Sequence, residues 1–404
     1  MNTVFISQKI GKEKLNTLTN NIIYGDSHYS WKIIGDLYRK SIHELGLNTI
    51  EIVRPEIFKT EISKNTLIKN KINLHMAVKP IEELRKLPIL KNIYVCGWEF
   101  EELSNSDYGV NPFFNQLRIL KEADLIACWT EYTKINLQRY SLDNIIVMPP
   151  PVKLINQNQT RKYIPKIPSV KLNSNFNLSL HGLGFLSDNI PKGALIFVSV
   201  LNPFDKRKSF SSMLKGFLDA VDAGVDAYLV IKIIIDNKST YIWNINEIIK
   251  LHYNLILNSN RILFVGDYLT DVAMENLIYM ADFYLCTSSA EGLNIPLITA
   301  MQLGKPIIST WCTAMQSYLT INCSIEILTD REVMSKGGHY LDDYLKVYHY
   351  PPLVKSIYEA IYQASKLTEY DKTLMGNNAK LTAEKLFGTV KFRDNFSKAI
   401  NILR

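Results

Sequence analysis

The residues best suited to chemistry lie in a turn between two apolar runs, Ser288–Thr310, which reads SSAEGLNIPLITAMQLGKPIIST. Glu291 is the only carboxylate in this stretch, and Pro296 stands where the first turn of a helix tolerates a proline. The free backbone N–H groups of residues 292–294 would then carry the positive end of the helix dipole, which suits a phosphate. Glu291 would repel a bare phosphate, so hydrogen bonds from a neighbouring hydroxyl or cationic group suit it better.

The elements that must position this turn alternate along the whole chain. Short apolar runs such as TVFIS, NIYVCG, ALIFVSVL and DFYLCTS are separated by helical patterns such as SWKIIGDLYRKSIHEL and DVAMENLIYMA. Near-continuous hydrophobic strands between helices predict parallel sheets that are covered on both faces. Ligands of such sheets bind beyond the carboxyl ends of the strands, so two such domains would face a central ligand cleft.

A segment rich in Pro, Asn and Gly, at about residues 149–193, separates the two series of strands and shows no sustained helical period. It indicates a linker or an irregular insertion at a domain boundary. The predicted fold is therefore two tandem doubly wound Rossmann-like domains. The N-terminal domain spans 1–185 and is completed by a C-terminal helix at about 387–404, and the second domain spans 186–386.

Composition excludes several classes of function. The 404 residues are 47% hydrophobic and carry a formal charge of +7, with Lys and Arg spread along the chain, so a nucleic-acid-binding arm is not expected. The five cysteines are isolated, which predicts buried thiols in a reducing compartment rather than disulfides or zinc ligands. The N-terminal residues lack signal-peptide features, so a cytoplasmic protein is expected.

The stretch EGLNIPLITAMQLGKPII resembles the donor-site signature of GT-B glycosyltransferases, above all the nucleotide-sugar users of glycosyltransferase family 4. The shared order is a strand, Glu-Gly, a proline at a helix start, Gly-Lys-Pro and another strand. The resemblance implies that Glu291 contacts the donor sugar. The family has a second glutamate where this chain has Thr299, so the ribose hydroxyls would meet a neutral, weaker partner.

The loop VSVLNPFDKRKSF resembles the family's loop that brings basic residues to the donor pyrophosphate. Lys208 aligns with the family's lysine, while the family's upstream arginine would fall near Asn202 or Pro203. That second positive charge is therefore absent here or supplied by Arg207. Two cations on the leaving diphosphate would assist the reaction without a metal, so no metal and no cofactor beyond the nucleotide-sugar co-substrate are expected.

The stretch NIYVCGWEFEEL resembles the N-terminal half of such transferases, and YGDSHYSW has the polar and aromatic residues that suit a sugar acceptor. His75 lies near the family's donor-sugar-contacting histidine. The implied catalytic residues are Glu291, Lys208, Arg207, Glu99 and His75. The implied donor-binding residues are Asn202, Gly266, Asp267, Tyr268, Ser289, Gly292, Leu293, Asn294 and Thr299. The implied acceptor-binding residues are Asp26, His28, Tyr29, Trp31 and Trp98.

The expected function is transfer of a sugar from a nucleotide sugar to a glycan or lipid-linked acceptor, in bacterial surface-polysaccharide synthesis, with peripheral contact at the inner face of the membrane. The resemblance implies retention of anomeric configuration, with the leaving phosphate deprotonating the acceptor. An inverting reaction would need a base from Asp26, His28 or Glu99. The alternatives are a nucleotide-sugar epimerase or phosphorylase of the same shape, and a catalytically silent sugar-binding or partner protein.

Overall fold

The structure is a computed structural model that describes residues 3–8, 27–52, 55, 74–88, 90–107, 115–152, 170–171, 179–180, 190–234, 252, 260–265, 269–334 and 345–404. The chain divides into two compact units. The first comprises Met1–Val152, Val333–Tyr348 and Leu386–Arg404, and the second comprises Lys153–Glu332 and His349–Lys385. The boundary predicted between residues 185 and 186 lies outside the described residues and stays a prediction.

The first unit is built on a six-stranded parallel sheet in the order β2-β1-β3-β4-β5-β6. Its strands are β1 (Thr3–Gln8), β2 (Asn48–Glu51), β3 (Leu74–Val78), β4 (Lys91–Cys96), β5 (Leu125–Cys128) and β6 (Ile145–Val147). Its helices are α1 (Ser27–Glu44), α2 (Gln116–Lys121) and α3 (Glu131–Gln138). The strands β1, β3 and β5 are buried along their whole length, as expected for a parallel sheet with helices on its faces.

The second unit contains an eight-stranded sheet in the order β14-β13-β12-β9-β10-β11-β8-β7. Its strands are β7 (Val170–Lys171), β8 (Ser179–Leu180), β9 (Leu195–Leu201), β10 (Ala227–Ile233), β11 (Ile262–Val265), β12 (Phe283–Cys286), β13 (Ile307–Thr310) and β14 (Ser324–Ile327). Its helices are α4 (Phe210–Asp222), α5 (Asp271–Tyr279), α6 (Ile295–Gln302), α7 (Val354–Ser365) and α8 (Glu369–Phe387). The short strands β7 and β8 pair antiparallel inside the predicted linker, where the sequence pattern predicts no strand.

Two short strands and one helix complete the chain. The two-residue strands β15 (Glu332–Val333) and β16 (Tyr348–His349) pair with each other. The last helix, α9 (Thr389–Leu403), packs in the first unit, where the rings of Phe392 and Tyr38 meet edge-on at 5.8 Å. The hydroxyl of Tyr38 donates to the carbonyl of Met148 at 2.5 Å, so that ring is held both by packing and by a hydrogen bond.

Aromatic and small residues organise the core of the second unit. The ring of Phe197 on β9 stacks on Phe283 of β12 at 5.4 Å and meets Phe217 of α4 edge-on at 6.2 Å. At Gly376 in α8 a Cβ atom would lie 2.0 Å from the carbonyl oxygen of Gly304, so no side chain fits there. Gly304 itself, at φ +71°, follows the last turn of α6.

The two sheets confirm the predicted α/β fold class. Most of their strands lie in the apolar runs of the sequence, and the helical patterns lie between them. Among the helices that the structure describes, none combines the length and the hydrophobicity that a membrane span needs.

Candidate functional site

The strand order of the second sheet reverses between β9 and β12. From β9 the chain continues through β10 and β11 on one side, whereas β12, β13 and β14 lie on the other. β9 and β12 are parallel neighbours, with Phe197 opposite Phe283 and Val198 opposite Tyr284. Loops that leave the carboxyl ends of two such strands border the crevice in which doubly wound sheets bind ligands. These two loops carry Lys208 and Glu291.

The turn after β12 leads directly into α6. Asn294 is the N-cap of this helix, and its Oδ1 accepts a hydrogen bond from the backbone N–H of Leu297 at 3.2 Å. Pro296 lies in the first turn, as the sequence predicts. The hydroxyl of Tyr318 donates to the carbonyl of Leu293 at 2.6 Å, so the backbone that precedes the helix is held from outside the turn.

Glu291 is held by three donors on one carboxylate oxygen. Its Oε1 accepts from Lys208 Nζ at 2.5 Å, from Ser288 Oγ at 2.8 Å and from Asn294 Nδ2 at 3.2 Å. Its backbone N–H donates to Thr313 Oγ1 at 2.9 Å, and that hydroxyl also bonds the Glu291 carbonyl at 3.1 Å. The orientation of the carboxylate is therefore set by donors from the chain itself.

Lys208 reaches Glu291 from the loop after β9. It ends a short 3₁₀ turn, Lys206–Lys208, and its carbonyl accepts a hydrogen bond from Thr287 Oγ1 at 2.9 Å. The side chains of Lys208 and Glu291 are only 18% and 10% exposed. Burial lowers the pKa of Lys208, but the carboxylates of Glu291 and Asp205 outweigh burial and hold that pKa above its ordinary value. Lys208 is therefore an ammonium ion at neutral pH.

Arg207 is held by a carboxylate that the sequence reasoning missed. Its Nε donates to Asp205 Oδ1 at 3.1 Å and its Nη2 donates to Asp205 Oδ2 at 2.8 Å, a two-point contact. Burial raises the pKa of Asp205, but Arg207 and Lys208 bring that pKa down to about 2. In the sequence, the spacing of two residues between Asp205 and Arg207 was the feature that could have predicted this ion pair. Asn202, earlier in the loop, accepts from the N–H of Phe204 at 3.0 Å and shapes the turn.

Strained backbone concentrates at this site. Four non-glycine residues among those described have positive φ, and three of them, Ser209, Asn294 and Thr313, follow Lys208 directly or contact Glu291. Left-handed φ costs such residues roughly 1–3 kcal/mol each and persists where the surrounding contacts enforce it. The enforcing contacts here are the hydrogen bonds of the two loops.

The remaining predicted donor-side residues have different surroundings. Thr299 lies in α6, and its hydroxyl donates to the carbonyl of Ile295 at 3.0 Å, within the helix. Leu293 is buried, whereas Gly292 is partly exposed. Ser289 bonds the carbonyl of Arg207 twice, through its backbone N–H at 2.6 Å and its Oγ at 3.1 Å. Gly266, Asp267 and Tyr268 lie outside the described residues.

The predicted acceptor side belongs to the first unit. Trp98 and Trp31 are largely buried: the indole N–H of Trp98 donates to the carbonyl of Glu102 at 2.8 Å, and Trp31 lies 5.1 Å from the ring of Trp129. Glu99, next to Trp98, is half-buried. Asp26 lies outside the described residues. His28 and Tyr29 occupy the first turn of α1, and their side chains lie outside the described set.

His75 is a fully buried residue near the amino end of β3. Its Nδ1 donates to Asn92 Oδ1 at 2.9 Å and its Nε2 accepts from Ser7 Oγ at 2.9 Å, which satisfies a neutral imidazole. Ligands of a parallel sheet bind at the carboxyl ends of the strands, three residues further along β3. Burial lowers the pKa of His75 to about 4. These contacts give His75 a structural role in the sheet.

The His75 environment predicts a specific acid sensitivity of the first unit. Above pH 6.5 the imidazole is neutral in the folded and the unfolded chain, and between pH 6.5 and 4 only the unfolded chain gains the proton. We expect the free energy of unfolding to fall by about 2 kcal/mol between pH 7 and pH 5 through this group. Urea unfolding followed by tryptophan fluorescence at both pH values measures it. His75→Gln should lose this part of the pH dependence, and an unchanged dependence in that variant would contradict the assignment.

Comparison with known proteins shows which solved structures share the fold of this chain. No protein-family model and no curated protein sequence matches the chain. Sucrose-phosphate synthase from Thermosynechococcus elongatus is similar with a TM-score of 0.63 and 13% identity, covering 100% of this chain and 99% of that one. A glycosyltransferase from Rickettsia africae is similar with a TM-score of 0.60 and 13% identity, covering 100% and 99%.

HepE from Anabaena, solved in complex with UDP and glucose, has a TM-score of 0.60 at 10% identity, covering 99% of this chain and 100% of that one. At these sequence identities the likeness shows that the fold is shared. The two Rossmann-like units of this chain therefore form the fold of the GT-B glycosyltransferases.

Proposed function

We propose that the chain is a glycosyltransferase that uses a nucleotide sugar, and that its donor site is the pair of loops after β9 and β12. The observation that carries the proposal is the Lys208–Glu291 ion pair at the point where the strand order reverses, beside the N-terminus of α6. An ammonium ion suits a diphosphate, and an oriented carboxylate suits sugar hydroxyls. Side by side, the two groups could bind both halves of a nucleotide sugar.

A uridine nucleotide is the donor class that we propose first. Its support is the structural likeness to HepE, which was solved with UDP and glucose. At position 299, α6 has a threonine and therefore no carboxylate that could bind a ribose. The neutral hydroxyl of Thr299 donates instead to the carbonyl of Ile295. Contacts to the base and the ribose must then come largely from elsewhere in the second unit.

The proposed mechanism uses the charges of the two loops. Donor phosphates replace Glu291 as the partner of Lys208, and Arg207 adds a second cation, so the charge that develops on the leaving diphosphate is stabilised in the transition state. Glu291, released from Lys208, accepts hydrogen bonds from the donor sugar. The reaction is proposed to be metal-independent and retaining, with the leaving phosphate oxygen deprotonating the acceptor hydroxyl on the same face of the sugar.

The proposed acceptor is a glycan or a lipid-linked saccharide, and the proposed setting is bacterial surface-polysaccharide synthesis at the cytoplasmic face of the membrane. The formal charge of +7 supports peripheral contact with anionic lipid. The abundance of Asn, Ile and Lys, typical of an AT-rich bacterial genome, supports the bacterial setting. If the reaction inverts, Glu99 or the residues Asp26 and His28 are the proposed bases.

A thermal-shift panel of UDP-, GDP-, dTDP- and CMP-sugars, run in EDTA, tests the donor. We expect a UDP-sugar present at about a hundred times its dissociation constant to stabilise the protein by roughly 2.7 kcal/mol, and the other nucleotides to stabilise it less. Stabilisation that requires added Mg²⁺ would contradict metal independence. If no nucleotide sugar stabilises the chain, the proposed function is wrong.

Product analysis then separates the kinds of activity. A glycosyltransferase transfers or hydrolyses the bound donor and releases the nucleotide. An epimerase would return a changed sugar with no acceptor consumed, and a phosphorylase would require free phosphate. Binding without any turnover would leave a sugar-binding protein.

A further inference from the structure

His349 is linked by hydrogen bonds through Ser289 to the turn Lys206–Lys208, and we call this chain of hydrogen bonds the relay. His349 Nδ1 lies 2.9 Å from Ser289 Oγ, and the same Oγ lies 3.1 Å from the carbonyl oxygen of Arg207. The N–H of Tyr350 donates to the Ser289 carbonyl at 2.8 Å, so the segment that carries His349 is itself tied to the loop after β12. The relay thus joins three segments of the second unit that are distant in sequence.

The direction of each hydrogen bond follows from the groups involved. A carbonyl oxygen can only accept, so the Ser289 hydroxyl donates to Arg207 and must accept from His349. His349 therefore carries a proton on Nδ1. Burial lowers the pKa of His349 against the opposing effect of Glu332, which favours the neutral ring. The hydrogen bond to Ser289 then places the single ring proton on Nδ1.

We propose that His349 is a positioning residue for phosphate binding, which acts through Ser289 on the turn that presents Arg207 and Lys208. The inference rests on the proposed function of these cations. It makes His349, a residue outside both loops, responsible for the position of the Arg207 and Lys208 side chains. Without the Nδ1 donor, the Ser289 hydroxyl loses its fixed orientation. The Arg207 carbonyl still accepts from the backbone N–H of Ser289, but the hydroxyl that also donates to it is no longer held in place.

The consequence concerns the placement of two side chains. Lys208 follows Arg207 directly, and its N–H already donates to the carbonyl of Asp205 at 2.9 Å. A turn this short transmits a displacement of one carbonyl to the next residue. We therefore expect the loss of His349 to weaken diphosphate binding while the buried sheet beneath the loops keeps its packing.

The test measures binding of inorganic pyrophosphate by ³¹P NMR titration, because pyrophosphate needs the cations and no nucleotide or sugar contact. His349→Ala should weaken binding about five- to tenfold. His349→Asn, whose Nδ2–H can take the place of the imidazole Nδ1–H, should restore affinity to within about twofold of wild type. The double variant His349→Ala/Ser289→Ala should bind no more weakly than the weaker single variant, since both act on one relay.

Urea unfolding midpoints of the same variants provide the control. We expect His349→Ala and His349→Asn to unfold at the same urea concentration, so that affinity separates them and stability does not. The proposal is overturned if the Asn variant binds as weakly as the Ala variant, if neither loses affinity, or if wild type does not bind pyrophosphate. Failure of every nucleotide sugar in the thermal-shift panel, with pyrophosphate binding intact, would overturn the donor assignment and leave the relay standing.

Discussion

Replacing Lys208 with Met should lower kcat/KM for the donor by about 10²- to 10³-fold, equal to roughly 3–4 kcal/mol of transition-state stabilisation. The methionine keeps an apolar stem of similar length, so the change removes the ammonium that bonds Glu291 at 2.5 Å and little else. Lys208→Arg keeps the charge and should recover part of the loss. Donor hydrolysis, followed by nucleotide release, measures the effect without knowledge of the acceptor.

Stability must be separated from activity in this variant. Removing one partner of a largely buried ion pair costs about 3–5 kcal/mol when the other charge is left alone. Glu291 keeps the hydroxyl of Ser288 and the amide of Asn294 as donors, so we expect a smaller loss. The double variant Lys208→Met/Glu291→Gln removes both charges and should regain most of the stability while remaining inactive.

Lys206→Met is the matched control for Lys208. Lys206 lies in the same 3₁₀ turn and is exposed, so its replacement changes the net charge of the turn equally. We expect a change in kcat/KM of less than about threefold, the size of a screened surface charge effect. Equal losses of kcat/KM in the two lysine variants would show that the net positive charge of the turn, and not the position of the Lys208 ammonium, supports the reaction.

Replacing Glu291 with Gln should change binding and turnover in opposite directions. Glu291 is the ion-pair partner of Lys208, so a diphosphate that binds Lys208 must compete with Glu291. The glutamine carbonyl can still accept from Ser288 and Asn294 but does not hold Lys208 as an ion pair. We expect the affinity for UDP to rise about tenfold, or about 1.4 kcal/mol, and kcat for the donor sugar to fall about 10²-fold.

Calorimetric titration with UDP and a hydrolysis assay with the UDP-sugar measure the two quantities on the same preparation. Ser288→Ala serves as the control, because it removes a donor to Glu291 and leaves the ion pair in place. A parallel fall of UDP affinity and turnover in Glu291→Gln would mean that the carboxylate mainly shapes the loop. Unchanged turnover would remove Glu291 from the reaction.

Local pattern was sufficient for much of the second unit. The apolar runs predict β9 and β12 because continuous hydrophobic strands are typical of a buried parallel sheet. Pro296 marks the start of α6 because a first-turn proline acts within a few residues of the helix start. Strands of two residues, such as β7 and β8, are too short to leave a period in the sequence.

Pattern was insufficient for His75. A continuous apolar run does not show where its strand begins and ends, so the sequence alone does not tell which residues reach the ligand edge of the sheet. The structure places His75 near the amino end of β3, where Ser7 and Asn92 satisfy its ring. Whether a histidine in a strand belongs to a ligand site depends on its position along that strand.

By itself the sequence determined the α/β fold class and the two turns that carry Lys208 and Glu291, since strand, cap and turn preferences act over short distances along the chain. Only the tertiary structure decided that these side chains form an ion pair across 83 positions of sequence, and that His349 reaches Ser289 across 60. The physical reason is the strand order. β9 and β12 become neighbours only when the sheet assembles, and long-range packing then brings together charges that no local pattern relates.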